Sequence, residues 1–295
     1  MRVSMLINPD AGGEADAETI RHGVQRHGHE IVSLIDTSHP VERLLEADTD
    51  LIVVCGGDGT VAEVARLMAG RPCPMTILPM GTANNIAIAL DCVGSLDALI
   101  DHWQAHDVRP MDLGRVCGPF GERRFVESLG GGLVADTIAM MDARDASDAG
   151  PVSWRLDRAV DGYLEKLADA RPLEWRLHAD GTEHSGRYLL VEVLNIKSIG
   201  PRIVVADEAD AFDGVLTLAL ATGDHGHELA RYFLTRAAGA ERPLWLTTTD
   251  AATLSVGGGS GRLHIDDDVI DVGPDASVTI EVEPGALLVL RGPGA

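Results

Sequence analysis

The run Gly56-Gly57-Asp58-Gly59-Thr60 follows the apolar stretch Leu51 to Cys55 and leads straight into a helical pattern that begins Val61-Ala62-Glu63-Val64. Glycines at a strand-to-helix turn leave backbone N–H groups bare, and the helix dipole favours negative charge there, so such a turn can hold a phosphate. A second turn of the same design follows. Met75 to Pro79 is apolar and runs into Met80-Gly81-Thr82-Ala83-Asn84-Asn85, after which Ile86 to Leu90 reads as a helix. In a parallel sheet, two such turns open onto the same edge, where ligands bind. Two acidic constellations lie further along. The segment Asp207 to Val215 places Asp207, Asp210 and Asp213 at a spacing of three before Gly214, an arrangement of oxygen donors that suits a hard cation and equally suits a solvated loop. His264-Ile265-Asp266-Asp267-Asp268 crowds carboxylates at the end of a strand pattern, which favours a general base but also marks ordinary exposed turns.

Competing phosphate-binding motifs are missing. Ala62 stands where a dinucleotide fingerprint needs its last glycine, and no Gly-x4-Gly-Lys-Ser/Thr occurs, which argues against a dehydrogenase and a Walker-type ATPase. The net charge of −22 would repel a nucleic-acid backbone and opposes simple docking on an anionic membrane. Lysine is confined to Lys166 and Lys197, so phosphates bound in the first third must be neutralised by backbone amides, arginine and a divalent cation. Cys55, Cys73, Cys92 and Cys117 lack ligand spacing and read as buried or half-buried thiols. The paired histidines His27/His29 and His225/His227 read as solvated loop residues. Without an export signal or a long apolar run, the expected location is the cytoplasm.

The elements that must position these residues alternate in the first third. Strands are expected at 3–7, 30–35, 51–55 and 75–78, and helices near 15–27, 40–46, 60–69, 83–89 and 95–105, the pattern of a βαβ sheet with covered faces. Beyond Met111 short alternating segments dominate, at 124–128, 174–179, 187–194, 215–221, 244–249, 253–256, 263–265 and 277–282, which suggests an antiparallel sandwich. Two helices interrupt it, Trp154 to Ala168 with a core-facing stripe, and His227 to Ala238. The glycine runs at 130–132 and 257–261 read as loops.

Asn8-Pro9-Asp10-Ala11-Gly12-Gly13, Gly56-Gly57-Asp58-Gly59-Thr60-x-x-Glu63-Val64 and Leu78-Pro79-x-Gly81-Thr82-Ala83-Asn84 together resemble the diacylglycerol kinase catalytic domain family. That family includes bacterial lipid kinases and the sphingosine and ceramide kinases, with NAD kinase a more distant relative. The resemblance implies an N-terminal Rossmann-like α/β nucleotide-binding domain, residues 1–109, and a C-terminal antiparallel β-sandwich carrying substrate and catalysis, residues 110–284, with the last strand, about 285–295, returning to the first domain. It implies an ATP- and magnesium-dependent kinase acting on a hydroxyl of diacylglycerol, a long-chain base or a related amphiphile held between the domains. Such a substrate brings transient contact with a membrane surface, no nucleic acid, and room for a homodimer.

By that likeness Asn8, Pro9, Gly12, Gly13, Thr37, Gly56, Gly57, Asp58, Gly59, Thr60, Glu63, Gly81, Thr82, Asn84 and Asn85 would bind nucleotide, with Asp58 also serving the cation. Glu63 alone reads as readily as an exposed helix residue. Asp210, Asp213 and the carbonyl of Val215 would hold magnesium in a structural role. Asp266 would take the substrate proton, with Asp268 as its rival, in a segment where the family has Asp-Gly-Glu. Other departures are Asn85 where bacterial members carry Asp, Glu127-Ser128 where many have asparagine, and Glu14 where a basic residue follows the first glycine loop. The alternatives are an NAD-kinase-like enzyme and a nucleotide-binding regulatory module without catalysis.

Overall fold

A computed structural model describes residues 1–11, 16–145, 153–237 and 244–294. It divides into two compact units, Met1–Asp112 with Pro284–Ala295, and Leu113–Glu283.

The first unit runs β1 (Arg2–Ile7), α1 (Ala17–Arg26), β2 (Glu30–Asp36), β3 (Leu51–Gly56), α2 (Asp58–Met68), β4 (Met75–Pro79), α3 (Asn85–Ala89) and α4 (Leu96–His102). Strands β1 to β4 are parallel, in the order β2-β1-β3-β4, with Val289 of the final strand pairing Met75 of β4. Every residue of β3 is buried, the continuous apolar run expected of a strand covered on both faces. Helix α2 buries Val61, Ala62, Val64, Ala65 and Met68; each fully buried branched or long apolar side chain contributes about 1.5–3 kcal/mol. Asp16 and Ser95 cap α1 and α4 by accepting the N–H groups of Thr19 and Ala98. The helix expected at 40–46 is a short 3-10 turn, Val41–Leu45.

Strand β5 (Val108–Gly118) carries the chain into the second unit, where β6 (Gly121–Phe125), β7 (Ser128–Gly132), α5 (Leu133–Asp145), α6 (Ser153–Asp169), β8 (Leu173–Ala179), β9 (Thr182–Glu183), β10 (Gly186–Leu194), β11 (Ser198–Ile199), β12 (Ile203–Val204), β13 (Leu216–Thr222), α7 (Gly226–Ala237), β14 (Thr247–Ala251), β15 (Thr253–Gly258), β16 (Arg262–Ile265), β17 (Asp268–Asp271) and β18 (Ser277–Leu290) follow. Its principal strand order is β17-β16-β7-β10-β8-β15-β18, joined antiparallel, with β13 and β14 branching from β10. One core lies within the folded sheet, around Phe125, Trp175, Val191, Leu218 and Ile280. Another lies under the helices, where Val160 and Tyr163 are buried and Leu164 and Leu167 pack in partial exposure, as the stripe on α6 predicts; the side chain of Leu156 lies outside the described set.

Three expectations are corrected in this unit. The segment read as one strand at 124–128 is two, because the chain breaks at Val126-Glu127 between β6 and β7. Residues 130–132 are strand rather than loop, since glycine there answers to a close approach: a Cβ on Gly130 would meet the Glu192 carboxylate at 2.3 Å and one on Gly131 would meet Trp175 at 2.5 Å. Likewise Gly257 and Gly258 end β15. Helix α5 was not anticipated; its glycine-rich lead-in masked its start. Elsewhere, His29 is buried against Trp103 and Cys117 is exposed. Among the described residues no helix is long and apolar enough to cross a membrane.

Candidate active site

In the first unit the connections leave β1 and β3 in opposite directions, which puts the topological switch between the C-terminal ends of these strands. Asn8 ends β1. Its N–H donates to the Cys55 carbonyl at 2.9 Å and its side-chain amide to the Thr60 hydroxyl at 3.0 Å, so it ties the end of β1 to the first glycine turn. The second turn lies directly against the first. A Cβ on Gly81 would sit 2.5 Å from the Gly57 Cα and 2.8 Å from Asn84 Oδ1, and one on Gly57 would sit 3.1 Å from the Gly81 Cα. Neither glycine is needed for a left-handed backbone; both are needed so that two main chains can touch.

Asn84 itself is left-handed, with φ 56°, and its amide closes the second turn by accepting the Gly81 N–H and donating to the Gly81 carbonyl, each at 2.8 Å. Asp58 binds the turns together: Oδ1 accepts the Ile86 N–H at 3.0 Å. Burial pushes this carboxyl above its usual range, and the N–H groups of Ile86, Asn85 and Asn84 oppose the shift without cancelling it. Gly57 is the N-cap of α2 and brings no side-chain oxygen, so the N–H groups of Gly59 and Thr60, in the first turn, are left without an intrahelical acceptor. Such a helix start suits an anion.

Asn8, Gly56, Gly57, Asp58, Gly59, Thr60, Gly81, Thr82, Asn84 and Asn85 thus gather around three strand ends and their turns, with Pro9 exposed beside Asn8. Glu63 is exposed on α2. Thr37 sits in an exposed turn after β2 that Asp36 organises; the Ser38 hydroxyl, then His39 and the Ser38 N–H, draw the Asp36 carboxyl down to about 2. Gly12 and Gly13 lie outside the described residues.

In the second unit Asp266 is buried and left-handed, with φ 50°. Its Oδ1 accepts the N–H groups of Val126 at 3.0 Å, Glu127 at 2.8 Å and Ser128 at 3.4 Å, and its own N–H donates to the Ser128 carbonyl at 2.8 Å. The break between β6 and β7 therefore makes a cradle for this carboxylate. Asp267 and Asp268 are exposed, and Asp268 lies 3.7 Å from Arg123. Behind Asp266, the His264 imidazole bridges the Glu192 carboxylate and the Asp266 carbonyl. Glu192 was missed in the sequence, yet a carboxylate inside the apolar run Leu189 to Leu194 is an anomaly that could have flagged it.

Asp210 and Asp213 are exposed on one turn, each accepting a main-chain N–H two residues on: Phe212 at 3.2 Å and Val215 at 3.0 Å. With the Val215 carbonyl they offer hard oxygen donors on a single turn, which fits magnesium in kind. Among the described residues no cluster of three or more His, Cys, Asp or Glu forms a metal cage.

Comparison with known proteins agrees with this architecture. Residues 2–116 match the model of the diacylglycerol kinase catalytic domain, and residues 138–291 that of the YegS C-terminal NAD kinase beta sandwich-like domain. A diacylglycerol kinase of Mycobacterium tuberculosis (strain H37Rv) is 30% identical, over 98% of this chain and 95% of the relative. One from Bacillus subtilis (strain 168) is 26% identical over 74% of this chain and 73% of the relative. A crystal structure of a diacylglycerol kinase from Bacillus anthracis str. Sterne shares the fold, with TM-score 0.72, 18% identity, and coverage of 99% of this chain and 97% of that one. The parallel sheet with its paired glycine turns, followed by an antiparallel sandwich, is the architecture of a lipid kinase. The chain belongs to the diacylglycerol kinase family.

Proposed function

We propose that this protein transfers the γ-phosphoryl group of ATP to a hydroxyl of a membrane lipid, with diacylglycerol as the first acceptor to test and long-chain bases or related amphiphiles next. The observation that carries this reading is the backbone contact of Gly57 with Gly81, after β3 and β4 and beside the topological switch, which brings the two glycine turns to one rim. There the N–H groups of Gly59 and Thr60 and the turn around Gly81 receive the phosphates, and Asp58 holds the two turns in register. Asn8, Thr82 and Asn85 complete the polar rim.

Phosphoryl transfer asks mainly for positioning and charge stabilisation. In this reading the lipid oxygen bonds to the γ-phosphorus, the bond to the ADP oxygen breaks, and Asp266 takes the hydroxyl proton. Its cradle of main-chain N–H groups supports that role, because a base must be held in place. Asp268, exposed and beside Arg123, is the weaker candidate. Asp210, Asp213 and the Val215 carbonyl would hold a magnesium ion in a structural role; the magnesium that accompanies ATP supplies neutralisation of the charge on its phosphates. An acceptor that resides in a bilayer entails transient contact with a membrane surface.

The test is incubation with γ-labelled ATP, magnesium and a total lipid extract, then identification of the labelled product. Label in a lipid phosphate, abolished by Asp266→Asn, is the expected result. ATP hydrolysis without any labelled lipid, or unchanged labelling by Asp266→Asn, would overturn the acceptor class or the base respectively.

A further inference from the structure

Glu192 and His264 face each other in the interior of the second unit, 0% and 1% exposed. The imidazole Nε2 lies 3.0 and 2.9 Å from the two carboxylate oxygens, and Nδ1 lies 2.8 Å from the main-chain oxygen of Asp266. A carbonyl oxygen can only accept, so Nδ1 carries a hydrogen; Nε2 against a carboxylate carries another, which makes the ring an imidazolium. Gly130 on β7 gives up a side chain to make room, since a Cβ there would meet the carboxylate at 2.3 Å. A buried ion pair is a poor way to stabilise a fold, and an apolar pair of similar volume would do as well or better. Its connection to Asp266 suggests another use. The left-handed backbone of Asp266 is unfavourable for a residue with a Cβ, and it is held from two sides: His264 on its carbonyl, Val126 to Ser128 on its carboxylate.

We propose that Glu192 and His264 are positioning residues for phosphoryl transfer: the buried pair fixes the Asp266 carbonyl, and with it the direction in which the Asp266 carboxylate points. This rests on the reading of Asp266 as the base.

The charged and titratable groups around the pair are Asp266 on the same corner, which acts on His264, and Tyr163 on α6, on which Glu192, Asp267 and Glu127 act. Burial alone would drive the imidazolium to lose its proton; the Glu192 carboxylate, with the Asp266 carbonyl, more than reverses this and raises His264 above its ordinary value. The neighbouring hydroxyl of Tyr163 is pushed far up by burial and by Glu192, Asp267 and Glu127, and stays neutral. A group raised in this way keeps its proton to higher pH than a free imidazole does, so the corner should loosen as pH rises through its folded value.

The test is a pH profile of kcat and KM for the full-length protein with dioctanoylglycerol in detergent micelles, ATP and magnesium, with circular dichroism at each pH to exclude unfolding. The wild type should lose kcat, not KM, on an alkaline limb. Glu192→Gln keeps the shape and hydrogen-bonds a neutral ring, so that limb should vanish. His264→Asn should lower kcat about 10–100-fold, the order of a misplacement of up to 1 Å, while KM for ATP moves by less than about twofold. A wild-type alkaline limb in Glu192→Gln, or an undiminished kcat in His264→Asn, would overturn the proposal. Asp266→Asn separates the two layers: if it retains activity the base assignment fails, whereas an inactive Asp266→Asn beside wild-type behaviour of the other two sinks only the positioning role. Should neither variant fold, Glu192→Asp, which shortens the reach to the ring by one methylene, takes their place, and an undiminished kcat there would reject the proposal.

Discussion

Replacing Gly81 by alanine tests whether the two glycine turns work as one cradle. The new Cβ would lie 2.5 Å from the Gly57 Cα, whereas ordinary contact begins at 3.4 Å, so the turns must part by about 0.9 Å. The obstacle is main chain on one side and the Asn84 amide oxygen, itself bonded into the turn, on the other, so no flexible side-chain end can absorb the change. Overpacking of this kind costs about 1–3 kcal/mol of stability. The effect on function should be larger, because displacing a phosphate-binding element by about 1 Å can cost on the order of a hundredfold in rate. Gly226→Ala is the control: its nearest neighbour would be Leu189 Cδ1 at 3.8 Å, and the change should stay within about 0.5 kcal/mol. Calorimetric titration with an ATP analogue and steady-state kinetics would be compared for both variants. If Gly81→Ala binds nucleotide and turns over as Gly226→Ala does, the contact between the turns has nothing to do with phosphate binding.

Asp58→Ala should cost about 1–3 kcal/mol by leaving the N–H of Ile86 without its acceptor, while Asp58→Asn keeps an oxygen there and should match or exceed the wild type in thermal denaturation near pH 7. The sign follows from the raised carboxyl: the stability tied to its neutral form is complete below the unfolded value near 3.8 and is lost as pH climbs through the folded one, a loss that asparagine removes. Equal destabilisation by both substitutions would contradict this. If Asp210 and Asp213 hold magnesium, the wild type should gain up to about 2.7 kcal/mol at a hundredfold excess over Kd, and the doubly substituted Asp210→Asn, Asp213→Asn protein should gain none. Glu192→Ala, which leaves an imidazolium buried alone, should cost about 3–5 kcal/mol in denaturant unfolding, well beyond Glu192→Gln.

The first unit was readable because its motifs are local. Each glycine turn follows its strand within a few residues, and the parallel register of β3 and β4, with Gly56 opposite Pro79, brings the two turns to the same level. What the turns do to each other was not readable: Asp58 finds Ile86 across 28 residues of chain, and no spacing rule tells a carboxylate aimed at a cation from one aimed at a neighbouring turn. In the second unit the alternating strands were visible, but β7 was not, because Ser128 to Gly132 carries glycines where strands usually carry β-branched residues. Their reason lies in side chains of other strands, Glu192 and Trp175. His264 and Glu192 stand 72 residues apart, so their pairing follows only from the register of β16, β7 and β10.

The most direct test of the nucleotide cradle is a crystal structure of the protein with magnesium and a non-hydrolysable ATP analogue. Phosphate density against the main-chain N–H groups of Gly59 and Thr60 and beside Gly81 is the expected result. A triphosphate bound away from the junction of Gly57 and Gly81 would contradict the account at its centre.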